Sequence, residues 1–191
     1  MADRKKNERR REVHVALLRG INVAGKNMVP MKALASLFAD AGCTDVETYI
    51  QSGNVLFNAT DAIGRRAASV VSRGISEQFG LQIRILTRTT AELRDIAAHN
   101  PFLRAGADPK TLHVVFLADV PEPSRSAGLD PNRSPPDEFA IVGRQIYLRC
   151  PNGIGRTKLS NQYFDSKLGT VSTVRNWNTT LKLLALAAAR E

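Results

Sequence analysis

The run VHVALLRGINVAGKNMVPM, residues 13–31, constrains the fold most, because an apolar strand passes straight into a loop of Arg, Asn, Gly and Lys. Polar loops at strand ends are where α/β proteins place ligand sites. Gly20-Ile21-Asn22-Val23-Ala24-Gly25-Lys26-Asn27 is one residue short of the phosphate-cradling pattern G-x-x-x-x-G-K-[ST]. The next helix is expected only at Pro30, with Met31, Leu34, Leu37, Phe38 and Ala41 on one face and Gly42 closing it. In a P-loop the helix begins at the Lys, and a hydroxyl follows it to ligate magnesium. Here Asn27 stands in that place, and Met28-Val29-Pro30 separate Lys26 from the helix. A P-loop kinase, with VVFLAD (residues 114–119) imitating the magnesium-binding strand, is therefore the weakest of the readings considered.

Further along, strands are expected at residues 46–50 and 55–58 around Gln51-Ser52-Gly53-Asn54, a helix over 62–79 ending at Gly80, and a strand at 81–86. The order β-α-β-β-α-β is the split, ferredoxin-like unit. Thr89 and Glu92 form a capping box for a helix to His99, which Asn100-Pro101 ends. The second half reads as a smaller α/β piece. It has a strand at 112–117, a Pro-rich stretch at 121–136 taken as a flexible insertion, a hairpin at 139–141 and 146–149 across Gly143-Arg144, and two C-terminal helices. The expectation is an α+β fold with a basic, disordered tail at 1–12, a ferredoxin-like subdomain at 13–100 and a second subdomain at 101–191. No internal repeat is legible.

The 191 residues are 43% hydrophobic, enough for one compact unit or two small subdomains. No apolar run approaches the roughly 18 residues of a membrane span, and the basic start is followed by no cleavage site, so a cytoplasmic protein with no membrane partner is expected. Cys43 and Cys150, and His14, His99 and His113, lack metal-ligand spacing. They read as core or strand residues, and no metal or cofactor is implied. The +9 charge sits at the ends, with net +3 over residues 1–12, +6 over 144–191 and zero between.

In the split unit, the loop after the first strand and the hairpin turn share one sheet edge. Arg19, Gly20, Asn22 and Lys26 are thus expected near Gln51, Ser52 and Asn54. Arg156 and Lys158 of PNGIGRTK and Arg175 of TVRNWN are expected to face the same cleft, completing a site for an anionic small ligand, phosphate- or nucleotide-like. Catalytic residues are not identifiable, since no Ser-His-Asp, Cys-His or paired-carboxylate set is visible. A nucleic-acid binder using the tail and C-terminal cations is the alternative, although 6% aromatics gives few stacking platforms.

The blocks LLRGINVAGKNMVPM, TYIQSGNVLF, NGIGRTKL and TVRNWNT, in this order, are similar to the signature blocks of the bacterial domain-of-unknown-function family 1697. The resemblance implies an α+β fold of two subdomains, the first ferredoxin-like. It carries over no catalytic residues, because the family has no established activity. It also makes Lys26-Asn27 the family's own pattern rather than a decayed Walker loop.

Overall fold

In the computed structural model, residues 11–23 and 25–191 are described. Two compact units form: residues up to Leu93 together with Leu183–Glu191, and Arg94–Lys182. The expected split at 100/101 lies nearby, but the return of the chain end to the first unit was not foreseen.

The first unit is built on β1 (Arg11–Leu18), α1 (Met31–Asp40), β2 (Thr44–Tyr49), β3 (Asn54–Thr60), α2 (Asp61–Phe79) and β4 (Ile85–Thr89). Its sheet has the order β2-β3-β1-β4, with antiparallel neighbours throughout. β3 therefore lies between β1 and β2. Alternate residues Ala16 and Leu18 of β1 and Val55, Phe57 and Ala59 of β3 meet Leu34 and Phe38 of α1 and Ala67, Val71 and Ile75 of α2 in one core. Both helices stop where glycine permits a left-handed residue, at Gly42 (φ 92°) and Gly80 (φ 67°). Helix α3 (Thr90–Ala98) starts with the expected capping box: Glu92 N donates to Thr89 Oγ1 at 3.2 Å, and Thr89 N donates to Glu92 Oε2 at 2.9 Å. At the chain end, Arg190 donates to the Asp45 carbonyl at 2.9 Å and pairs with Glu47 on β2.

The second unit contains the short helix α4 (Pro101–Arg104), β5 (Leu112–Leu117), α5 (Pro123–Ala127), β6 (Glu138–Val142), β7 (Gln145–Arg149), α6 (Asn161–Leu168) and β8 (Ser172–Asn176), and α7 (Trp177–Ala188) follows. Its sheet order is β6-β7-β5-β8, again fully antiparallel. This repeats the first sheet strand for strand. Equivalent pairings put His14 opposite Thr89 and His113 opposite Asn176, and Val15 opposite Arg88 and Val114 opposite Arg175. The repeat leaves little trace in the sequence beyond HVALL at 14–18 and HVVFL at 113–117.

Four expectations need correcting. Arg11 and Glu12 belong to β1, paired with Thr60 and Ala59, rather than to a tail; residues 1–10 of that tail lie outside the described residues. The strand expected at 81–86 runs Ile85–Thr89, because Ile83 enters the core ahead of the ladder. Ser172–Asn176 is a strand that was not expected, and the last helix follows it directly at Trp177. The Pro-rich stretch is no loose insertion: it forms α5, buries Leu129 in the second core, and Asp130 N donates to Tyr163 Oη at 3.0 Å.

Candidate functional site

The edge of the first sheet is organised by the Asn22 side chain. Its Nδ2 donates to the Val29 carbonyl at 3.1 Å and to the Gln51 carbonyl at 3.2 Å, and its Oδ1 accepts from Val29 N at 2.8 Å. One amide thus closes the loop after β1 and ties it to the β2–β3 turn. Asn22 adopts φ 53°, a left-handed conformation that asparagine tolerates better than most residues. Inside the loop, Asn27 Nδ2 donates to the Gly20 carbonyl at 2.9 Å, Asn22 N to the Asn27 carbonyl at 3.1 Å and Lys26 N to the Val23 carbonyl at 2.9 Å. Ile21 and Val29, each 1% exposed, anchor it in the core.

The turn is fixed with equal economy. Leu18 N donates to the Gly53 carbonyl at 2.8 Å, and buried Asn54 donates through Nδ2 to Ser52 Oγ at 2.9 Å and to the Tyr49 carbonyl at 3.3 Å. At Gly53 (φ 73°) a Cβ would lie 2.8 Å from Leu18 Cβ and 2.9 Å from Ile21 Cγ1, so only glycine fits this close approach.

The loops meet as expected, but Asn22, Asn27 and Asn54 spend their amides on the protein itself. The P-loop reading loses its physical basis here, because the main-chain N–H groups of Asn22, Lys26 and Val29 are already donated internally. What remains outward is cationic and aliphatic. Lys26 and Arg84 are exposed, Arg19 is half-buried, and Arg19 N donates to the Arg84 carbonyl at 2.9 Å, joining the two segments. The three segments of this edge, residues 18–30, 49–54 and 80–85, contain Arg19, Lys26 and Arg84 and no Asp or Glu. Val23 (59% exposed), Met28 (58%) and Ile50 (52%) project beside them.

The remaining candidates belong to the second unit. Arg156 and Lys158 are exposed on a loop held by Ser134, whose Oγ accepts from Lys158 N at 3.0 Å and donates to Asp137 Oδ2 at 2.8 Å. Gly153 has φ 85° and Gly155 lies in a 3₁₀ turn; Gly153 N donates to the Cys150 carbonyl at 3.0 Å and Arg156 N to the Gly153 carbonyl at 3.2 Å, so this segment is a hydrogen-bonded turn. Arg175 sits within β8, 9% exposed, donating to Thr173 Oγ1 at 3.0 Å and the Val174 carbonyl at 2.8 Å. Burial lowers its pKa to about 10. Asn176, whose Oδ1 accepts from Thr179 N at 2.7 Å, caps α7.

Both cysteines are buried thiols whose pKa burial raises to about 11, and no group of three or more potential metal ligands occurs among the described residues. No helix among them is long and apolar enough to cross a membrane. Two surface clefts, about 340 Å³ beside Arg133, Tyr163 and Lys167 and about 460 Å³ beside Lys32, Asp40 and Gln78, lie against other residues than those expected at the site.

The family model of a protein of unknown function, DUF1697, matches residues 12–147. The chain belongs to DUF1697. The matched span holds the loop after β1 and the β2–β3 turn, and it ends before NGIGRTKL and TVRNWNT. Among solved structures, this DUF1697 chain is similar to the conserved bacterial protein SP0830 from Streptococcus pneumoniae, with a TM-score of 0.69 and 19% identity over 93% of this chain and 99% of that one. At that identity the likeness shows the fold. No curated protein matches.

Proposed function

We propose that this DUF1697 protein is a binding protein that recognises an anionic group at the loop edge of its first sheet, with Lys26, Arg84 and Arg19 supplying the positive field. One observation carries the reading: three chain segments converge there with three cations and no carboxylate. Residues 13–143 hold thirteen basic and thirteen acidic side chains, so outside this edge the acidic ones lead by three and the segregation is local. Charges gathered on one edge raise the local concentration of an anion, and a pre-bonded loop loses little entropy on binding it. Gly20, Asn22, Gln51, Ser52 and Asn54 support this site by setting its shape rather than by touching the ligand.

Calorimetric titration with inorganic pyrophosphate at low ionic strength tests it. The wild type should show saturable binding that Lys26→Ala/Arg84→Ala weakens at least about tenfold, the loss of two charge-assisted contacts. Equal affinity in both proteins would overturn the reading.

A further inference from the structure

The cationic edge is also aliphatic, and the two properties are built on one frame. Val23 follows Asn22 in the chain, Met28 precedes Val29 and Ile50 precedes Gln51, so each exposed aliphatic residue adjoins one of the three residues joined at the Asn22 amide. Unlike scattered surface apolar residues, they are held together by hydrogen bonds. Ile50 adds a second sign of selection for shape. A β-branched residue at φ 48° is strained by roughly 1–2 kcal/mol, and the strain is stored at an exposed turn rather than in the core.

We propose that this edge docks a polypeptide segment of a partner protein that carries acidic residues beside aliphatic ones, the aliphatic side chains seating on Val23, Met28 and Ile50 and the carboxylates on Lys26 and Arg84. The proposal rests on the anion-recognition reading above and names the class of ligand. Charge complementarity selects the occupant: an edge with no carboxylate, on a chain of net +9, repels a second copy of itself. The projecting side chains are aliphatic, so they offer no flat face on which bases could stack. A small phosphate compound would leave about half of each aliphatic residue in water, whereas a peptide would cover them.

The experiment is selection of phage-displayed random dodecapeptides on the full chain, followed by anisotropy titration of the enriched peptides against three proteins. These are the wild type, Val23→Ser/Met28→Ser/Ile50→Ser and Lys26→Glu/Arg84→Glu, each first shown to melt cooperatively. Enriched peptides should combine Asp or Glu with Leu, Ile or Val, and both variants should bind them at least about tenfold more weakly than the wild type. If only the charge variant loses binding, anion recognition stands and the docking proposal falls. If neither variant loses binding, both fall. Tighter binding of the wild type to single-stranded DNA, or to vesicles containing phosphatidylserine, than to any enriched peptide would also overturn the proposal, as would dimerisation through this edge.

Discussion

Replacing Asn22 with Gly should open the loop after β1 while leaving both sheets folded. Glycine accepts φ 53°, so the substitution removes hydrogen bonds without adding backbone strain. Two of the three lost bonds involve Val29, which is 1% exposed, so its N–H and carbonyl would be left buried without partners. Such a loss costs about 1–3 kcal/mol, and the exposed bond to Gln51 adds about 0.5 kcal/mol, giving a local destabilisation of about 1.5–3.5 kcal/mol. At 1.4 kcal/mol per factor of ten, amide exchange at Val29, residue 22 and Lys26 should accelerate roughly 10- to 300-fold, with β1 and β3 amides much less affected. Hydrogen-exchange mass spectrometry or NMR measures this directly. Unchanged exchange at Val29 would show that Ile21 and Val29 hold the loop by packing alone, and the role given to Asn22 would be wrong.

Acidification should destabilise the fold through its buried histidines. His14 stacks on Phe57 at 5.3 Å, its Nε2 meets no hydrogen-bond partner among the described residues, and burial lowers its pKa; burial does the same to His113. The folded state then binds fewer protons than the unfolded chain, so stability is complete above about pH 6.5 and falls as pH drops toward the depressed folded values, by at most about 1.4 kcal/mol per pH unit per histidine. Urea unfolding at pH 7 and 5 should show a smaller loss in His14→Leu than in the wild type; equal losses would refute the assignment. Gly53→Ala should cost roughly 2–4 kcal/mol by clash and strain, against about 1 kcal/mol at Gly25, which has φ 75° and open space, and calorimetric melts that rank the two equally would contradict the close approach.

The parts of the fold that announced themselves were those with one strong local signal. The buried part of β1, Val13–Leu18, is apolar but for His14, α2 ends on a left-handed glycine, and Thr89 with Glu92 makes a cap that needs no tertiary context. β8 has no such signal, since STVRN carries a buried Arg175 at a position where alternation would call for an apolar side chain. The repeat of the two sheets lies in strand order and pairing, which survive when residue identities do not. At the site, the convergence of the two loops followed from topology, but the fate of Asn22, Asn27 and Asn54 did not. An amide that braces its own main chain has the same side chain as one that grips a ligand. The exposed Val23, Met28 and Ile50 were likewise hidden, because in sequence they resemble any other core residue.

The most direct test is a ¹H–¹⁵N NMR titration of the full chain with inorganic pyrophosphate, following every assigned amide. Binding at the edge should move the resonances of residues 19–28, 50–53 and 82–85 together along a single saturating curve, and Lys26→Ala/Arg84→Ala should abolish the movement. Shifts that cluster around Arg156 and Lys158, or none above the effect of added salt, would contradict an anion site on the first sheet.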